Sequence, residues 1–155
     1  DYQPALHQRG ALALRLDDPA AAEGWLKRAC ELGPGNAQAH YQYALCLQRL
    51  GKADESRAVQ KQLVQIERDQ KRLTEIISED LTRMPANADL MCELGQIYLR
   101  IGAVVDGLRW LEAALRLDPR HRPTHEALVA HYRATGQHSR AAKHIEFLPR
   151  QKHEP

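Results

Sequence analysis

A chain of 155 residues, 43% hydrophobic and 27% charged, has apolar surface enough for a sizeable buried core and lacks the composition of a disordered or collagen-like polymer. Its formal charge of +2 gives little reason to expect a polyanion partner. Aromatic residues make up only 5%, while Ala and Leu are plentiful, which points to packed helices rather than a sheet. Three cysteines, Cys30, Cys46 and Cys92, form an odd set with no C-x-x-C spacing. That argues against a disulfide framework or a structural zinc site and for small buried hydrophobes. Free thiols favour the cytoplasm, but the chain begins at Asp1 without Met and reads as a processed piece, so the compartment stays open. No apolar run approaches the roughly 20 residues that span a bilayer, and no signal peptide is visible.

The elements follow Gly and Pro punctuation. Pro4 opens a first helix with Leu6, Gly10 and Ala13 at packing positions. Asp17-Asp18-Pro19 stops it and starts a second, with Asp18 as N-cap and Ala22, Leu26 and Ala29 facing inward. Gly33-Pro34-Gly35 ends that helix, and Asn36 caps a third, which runs to a turn at Gly51. Ala58 and Leu63 are expected to continue inward. From Lys52 to Met84 there is no Gly or Pro. Val59, Leu63, Ile66, Leu73, Ile77 and Met84 recur at steps of four and three, with Gln70 and Asp80 filling two slots. This predicts one helix over 53–83, about 45 Å long; two helices with a tight turn near Arg68-Asp69-Gln70 are the alternative. Met84-Pro85-Ala86-Asn87 imitates Gly33-Pro34-Gly35-Asn36. A further pair turns at Gly102, and a last pair runs from Pro123 through Leu128, Tyr132, Gly136, Ala141, Ile145 and Leu148 to a close at Pro149.

Units begin near Gln3, Ala37, Ala88 and Arg122, at spacings of 34, 51 and 34 residues. Tetratricopeptide repeats carry W-x2-L-G-x2-Y, then A-x3-F, then P in about 34 residues. The stretch 88–121 resembles that pattern at Leu94, Gly95, Tyr98 and Pro119, with Met91 for Trp, Gly107 for Ala and Leu111 for Phe. Arg9 stands where the family has Leu, and the pattern breaks after Ala58, where Arg68 replaces the terminating Pro. Trp25 and Trp110 share one register, with His144 at the same place in the last unit. The resemblance implies an all-α, right-handed α-α superhelical solenoid of such hairpins, a single domain with units over 3–36, 37–67, 88–121 and 122–149. One long fused helix, about 53–84, would join the two pairs.

In that family the first helices line a concave groove. The matching positions here include His7 and Arg15 in unit one, then Tyr41, Leu45, Gln48 and Arg49 in unit two. Cys92, Gln96 and Arg100 match in unit three, Glu126 and Arg133 in unit four. Arg15, Arg49 and Arg100 share a register, with Arg133 one place away. Stacked guanidinium groups suit the carboxylates of an acidic segment. Equally, they fall in last helical turns, where a cation offsets the macrodipole. The Lys/Asn pattern by which some family members clamp C-terminal carboxylates is absent. Eight histidines, six of them from His121 onward, read as surface residues; His138 and His144 share no obvious face with His121 and His125. No metal site and no cofactor are expected, nor a nucleic-acid partner. No phosphate loop, nucleophile elbow or H-E-x-x-H is present. The expected function is a non-enzymatic scaffold whose groove takes an extended or helical segment of a partner protein. The second reading is self-association as a homodimer, direct or swapped, through the long helix.

Overall fold

The structure, a computed structural model, describes residues 2–149, and all regular elements among them are helical. In order they are α1 (Gln3–Arg15), α2 (Pro19–Leu32), α3 (Ala37–Arg49) and α4 (Ala53–Glu75). Then come a π-helical segment (Ile76–Asp80), α5 (Leu81–Arg83), α6 (Ala88–Arg100), α7 (Val104–Leu117), α8 (Arg122–Ala134) and α9 (His138–Ile145). The chain divides into two compact units, Asp1–Arg72 and Leu73–Pro155, with the division falling inside α4. Helical hairpins with one long central helix are what the sequence predicts.

One turn closes each hairpin. Gly51, Gly102 and Gly136 sit at φ of 75°, 87° and 72°, and Asp17 takes the same place at 57°. The following residue's N–H reaches back to a carbonyl of the last turn: Asp18 to Ala13, Lys52 to Leu47, Ala103 to Tyr98 and Gln137 to Tyr132, at 2.7–2.9 Å. This is the six-to-one bond of a left-handed helix cap, which satisfies an otherwise orphaned carbonyl. Helix starts are set by side chains where the sequence places them. Ala21 N–H donates to Asp18 Oδ1 at 2.9 Å, Ala39 N–H to Asn36 Oδ1 at 3.0 Å and Leu90 N–H to Asn87 Oδ1 at 3.0 Å.

In the first unit, Leu14, Ala22, Leu26, Tyr43, Ala44, Cys46, Leu47 and Val59 form one apolar cluster. The Arg9 guanidinium lies 5.2 Å from the Trp25 ring centroid, a cation–π contact between α1 and α2. In the second unit, the backbones of α6 and α7 come close together at Gly95 and Gly107. A Cβ on Gly95 would stand 2.6 Å from Leu111 Cγ and 2.9 Å from the Gly107 carbonyl oxygen.

The central helix departs from the expected stripe. No turn interrupts 68–70, yet the inward residues are Ser56, Val59, Ile66, Asp69 and Ile76, not Ala58, Ile77 or Met84. Ala58 is exposed because a helix turns about 100° per residue, and Ser56 and Val59 already hold the side toward α3. Ser56 Oγ–H donates to the Ala44 carbonyl at 2.9 Å. Ile77 and Met84 are about half exposed, at 51% and 48%. Ile76 instead joins Leu90, Leu94 and Ile97, with Leu73, Leu81, Tyr98 and Trp110 packed around them. The five-residue π segment carries Leu81 onto that cluster too, although in an α-helix a residue five places on points about 140° away. The last helix is also shorter than expected: α9 ends at Ile145, not at Pro149, and leaves Ile145 and Phe147 exposed.

Candidate functional site

Within the first unit the faces of α1, α3 and α4 enclose contiguous clefts. One, of about 410 Å³, is lined by Leu14, Arg15 and Asp17 on one side and Tyr41, Leu45 and Arg49 on the other. The next, of about 350 Å³, lies between Tyr41, Leu45 and Gln48 of α3 and Gln60, Leu63, Val64 and Glu67 of α4. A third, of about 300 Å³, continues toward Ala37 and Gln38 past Leu63 and Glu67. Tyr41 borders all three and is 56% exposed, a ring standing on a floor of aliphatic residues.

Of the groove residues predicted from sequence, Arg15, Tyr41, Leu45, Gln48 and Arg49 therefore come together. His7 is half-buried on α1 and lines none of these clefts; its Nε2 is buried without a hydrogen-bond partner. Arg49 is partly committed. Its Nη1 donates to the Leu14 carbonyl at 3.0 Å and lies 3.5 Å from Asp17 Oδ1, so it caps the C-terminal end of the neighbouring helix α1. Arg15 is exposed and has no ion-pair or hydrogen-bond partner among the described residues, and the same holds for Glu67 across the groove.

Sequence reasoning missed the α4 wall, because the family pattern fails there and assigns groove positions only to first helices. A signal was present: Val64 is an aliphatic residue off the inward stripe of a polar run, and it is 45% exposed.

The second unit holds the other predicted residues. Cys92 is not a wall residue but part of the core, 3% exposed among Leu111, Ala114, Leu128, Tyr132 and Ala141. Position five of a first helix faces the next hairpin here, and a small thiol packs under α8. Gln96 Nε2–H donates to its sulfur at 3.7 Å. Arg100 and Arg133 are exposed in the last turns of α6 and α8, and exposed Glu126 accepts from Arg122 Nε at 2.7 Å.

Burial pushes all three thiols up. Cys30 rises to about 12, with Glu31 adding to the effect. Cys46 rises through burial and then Glu23, and donates to the Pro19 carbonyl at 3.1 Å. Cys92 rises through burial against an opposing hydrogen bond with Thr124. Protonated thiols of this kind are poor nucleophiles.

The histidines depart most from expectation. His40, His121 and His125 are buried, at 5%, 9% and 2% exposure. His40 Nδ1 bonds the Asn36 carbonyl oxygen at 2.9 Å. His121 Nδ1 lies 2.7 Å from Thr124 Oγ1 and its Nε2 3.1 Å from Asp89 Oδ1. The His121 ring thus bridges the fully buried Thr124 hydroxyl and the Asp89 carboxylate. The bridge ties the entry of α8 to α6. His144, expected on a separate face, has Nδ1 3.0 Å from His125 Nδ1. His125 Nε2–H donates to the Pro119 carbonyl at 3.1 Å, which leaves its Nδ1 to accept from His144 when both rings are neutral. Phe147 stacks on His125 with centroids 4.3 Å apart. Burial first, then His125 and Lys143, hold His144 below its ordinary value. Among the described residues no group of three or more His, Cys, Asp or Glu is placed to hold a metal ion, and no helix is long and apolar enough to cross a membrane.

Paired helices closed by one repeated turn define a helical-hairpin repeat protein. The stretch 25–58, which covers the second half of α2, α3 and the start of α4, matches the tetratricopeptide repeat model. No curated protein sequence matches the chain. Solved structures similar to it include a double mutant of MamA RS-1, at 18% identity over 94% of this chain and 91% of that one, TM-score 0.41. MamA 41-end from Desulfovibrio magneticus RS-1 matches at 18% over 93% and 91%, TM-score 0.41. YrrB, described as a TPR protein with an unusual peptide-binding site, matches at 21% over 82% of this chain and 57% of its own, TM-score 0.40. At such identities and scores, nothing about a ligand of this chain follows from them.

Proposed function

We propose that the chain is a non-catalytic protein-interaction scaffold that takes an extended segment of a partner protein in the groove of its first unit. The observation that carries this is the run of clefts meeting at Tyr41. They lie between helices whose opposite faces are fixed in the core, so the groove exists before a ligand arrives and ordering costs on the protein side are small. Their volumes fall in the range of ligand sites, and an exposed tyrosine on an aliphatic floor is the anchor type that dominates interfaces. The buried, protonated Cys92 removes the one nucleophile that the sequence had placed on a groove wall.

Selection from a displayed peptide library against the full chain tests this. Binders should lose at least about tenfold in affinity to Tyr41→Ala, as for a central aromatic anchor. Because Tyr41 is largely solvent-facing, that variant should melt within a degree or two of the parent. Binders indifferent to Tyr41→Ala and to Val64→Ala would remove the groove from consideration.

A further inference from the structure

The groove carries charges of opposite sign at its two edges. Arg15 stands at the α1 edge, beside Arg49; Glu67 stands at the α4 edge, beside Gln38. Neither Arg15 nor Glu67 has an ion-pair partner among the described residues. Between them lie Tyr41, Leu45, Leu63 and Val64, an uncharged aromatic and aliphatic strip. From the Arg49 end of α3 to the Gln38 end is about 16 Å along the helix. A chain at about 3.3 Å per residue covers that in about five residues.

Resting on the groove reading above, we propose that the segment recognised is short, extended and dipolar. An acidic side chain or terminal carboxylate meets Arg15, an aliphatic residue meets Tyr41 and Val64, and a basic residue meets Glu67, with the two charges about four to five residues apart. An all-acidic segment is excluded from the far half by Glu67, and Asp17 further offsets the cations at the near end. The site thus selects by the separation of two opposite charges. A nucleic acid strand, charged alike throughout, fits it poorly.

The probe is acetyl-Lys-Ala-Leu-Ala-Glu-amide, titrated into the full chain and followed by backbone amide shifts. Shifts should centre on Tyr41, Leu45 and Val64. Replacing the peptide's Glu by Gln should weaken binding about two- to fivefold, the scale of an exposed ion pair. That loss should vanish in Arg15→Gln. Replacing its Lys by Gln should weaken binding similarly, and that loss should vanish in Glu67→Gln. A single-stranded oligonucleotide should leave the three reporter amides unmoved. Peptide binding at those amides that ignores both charges overturns the dipolar assignment and leaves the groove standing. Perturbation by the oligonucleotide alone, or no perturbation of the three amides by any peptide, overturns both.

Discussion

Two glycine-to-alanine changes should move stability in opposite directions. Glycine in a helix interior costs about 1 kcal/mol relative to alanine, so Gly95→Ala and Gly24→Ala gain about the same in helix propensity. Around Gly24 nothing lies within 4 Å of the added methyl, and the gain is kept. Around Gly95 the methyl would stand 2.6 Å from Leu111 Cγ, 2.8 Å from Leu111 Cδ2 and 2.9 Å from the Gly107 carbonyl oxygen. Leu111 is fully buried and the carbonyl belongs to the facing helix backbone, so relief requires α6 and α7 to separate. Overpacking of this kind costs about 3 kcal/mol, the upper part of its usual range. The net loss is then about 2 kcal/mol, a fall in Tm of roughly 4–8 °C. Gly24→Ala should instead raise Tm by roughly 2–4 °C. Thermal melts followed by far-ultraviolet circular dichroism measure both. A Gly95→Ala protein melting at or above the parent would refute the close approach of the two helices.

Asp17 performs with a side chain what glycine performs in the other three hairpin turns, and it places an anion at the C-terminal end of α1. Asp17→Gly should raise stability by about 1 kcal/mol, because the left-handed strain and the unfavourable dipole term outweigh a weak exposed pair with Arg49; a lower Tm would contradict this. His144, held below its ordinary value, favours the neutral ring in the folded chain. Its contribution is therefore complete above about pH 6.5 and is lost as pH falls below it. Tm should drop over that window less steeply in His144→Gln, and a ring-proton titration placing His144 at or above 6.5 would reverse the sign. A disulfide reagent that attacks thiolates should label Cys30, Cys46 and Cys92 slowly in the folded chain and rapidly in denaturant, and rapid native labelling at Cys92 would show its burial to be wrong.

The repeats were legible because their signals are local. Asp18, Asn36 and Asn87 cap helices through bonds three residues long, and Gly51, Gly102 and Gly136 take a backbone conformation open to few other residues. Tyr41, Leu45, Gln48 and Arg49, singled out by the same register, line the clefts of the first unit. What stayed hidden depends on partners distant in sequence. Whether Ile76 or Ile77 faces inward is decided by Leu90 and Leu94, not by its neighbours in the chain. The burial of His125 is decided by Phe147 and His144, which arrive from beyond the next turn. Cys92 has the right periodicity for either side of α6, and only the packing of Leu128 and Ala141 resolves it. The α4 wall was missed because the repeat pattern offered no template for a helix running on past its usual stop.

The widened turn at Ile76–Asp80 has a bearing on how such chains vary. Ile76 and Leu81 meet one cluster from five places apart, a spacing that one residue fewer would turn into an ordinary helical neighbour relation. The segment thus behaves as a stored insertion. Removing one residue within it would leave the two side chains four places apart, where an ordinary α-helix keeps both on one face.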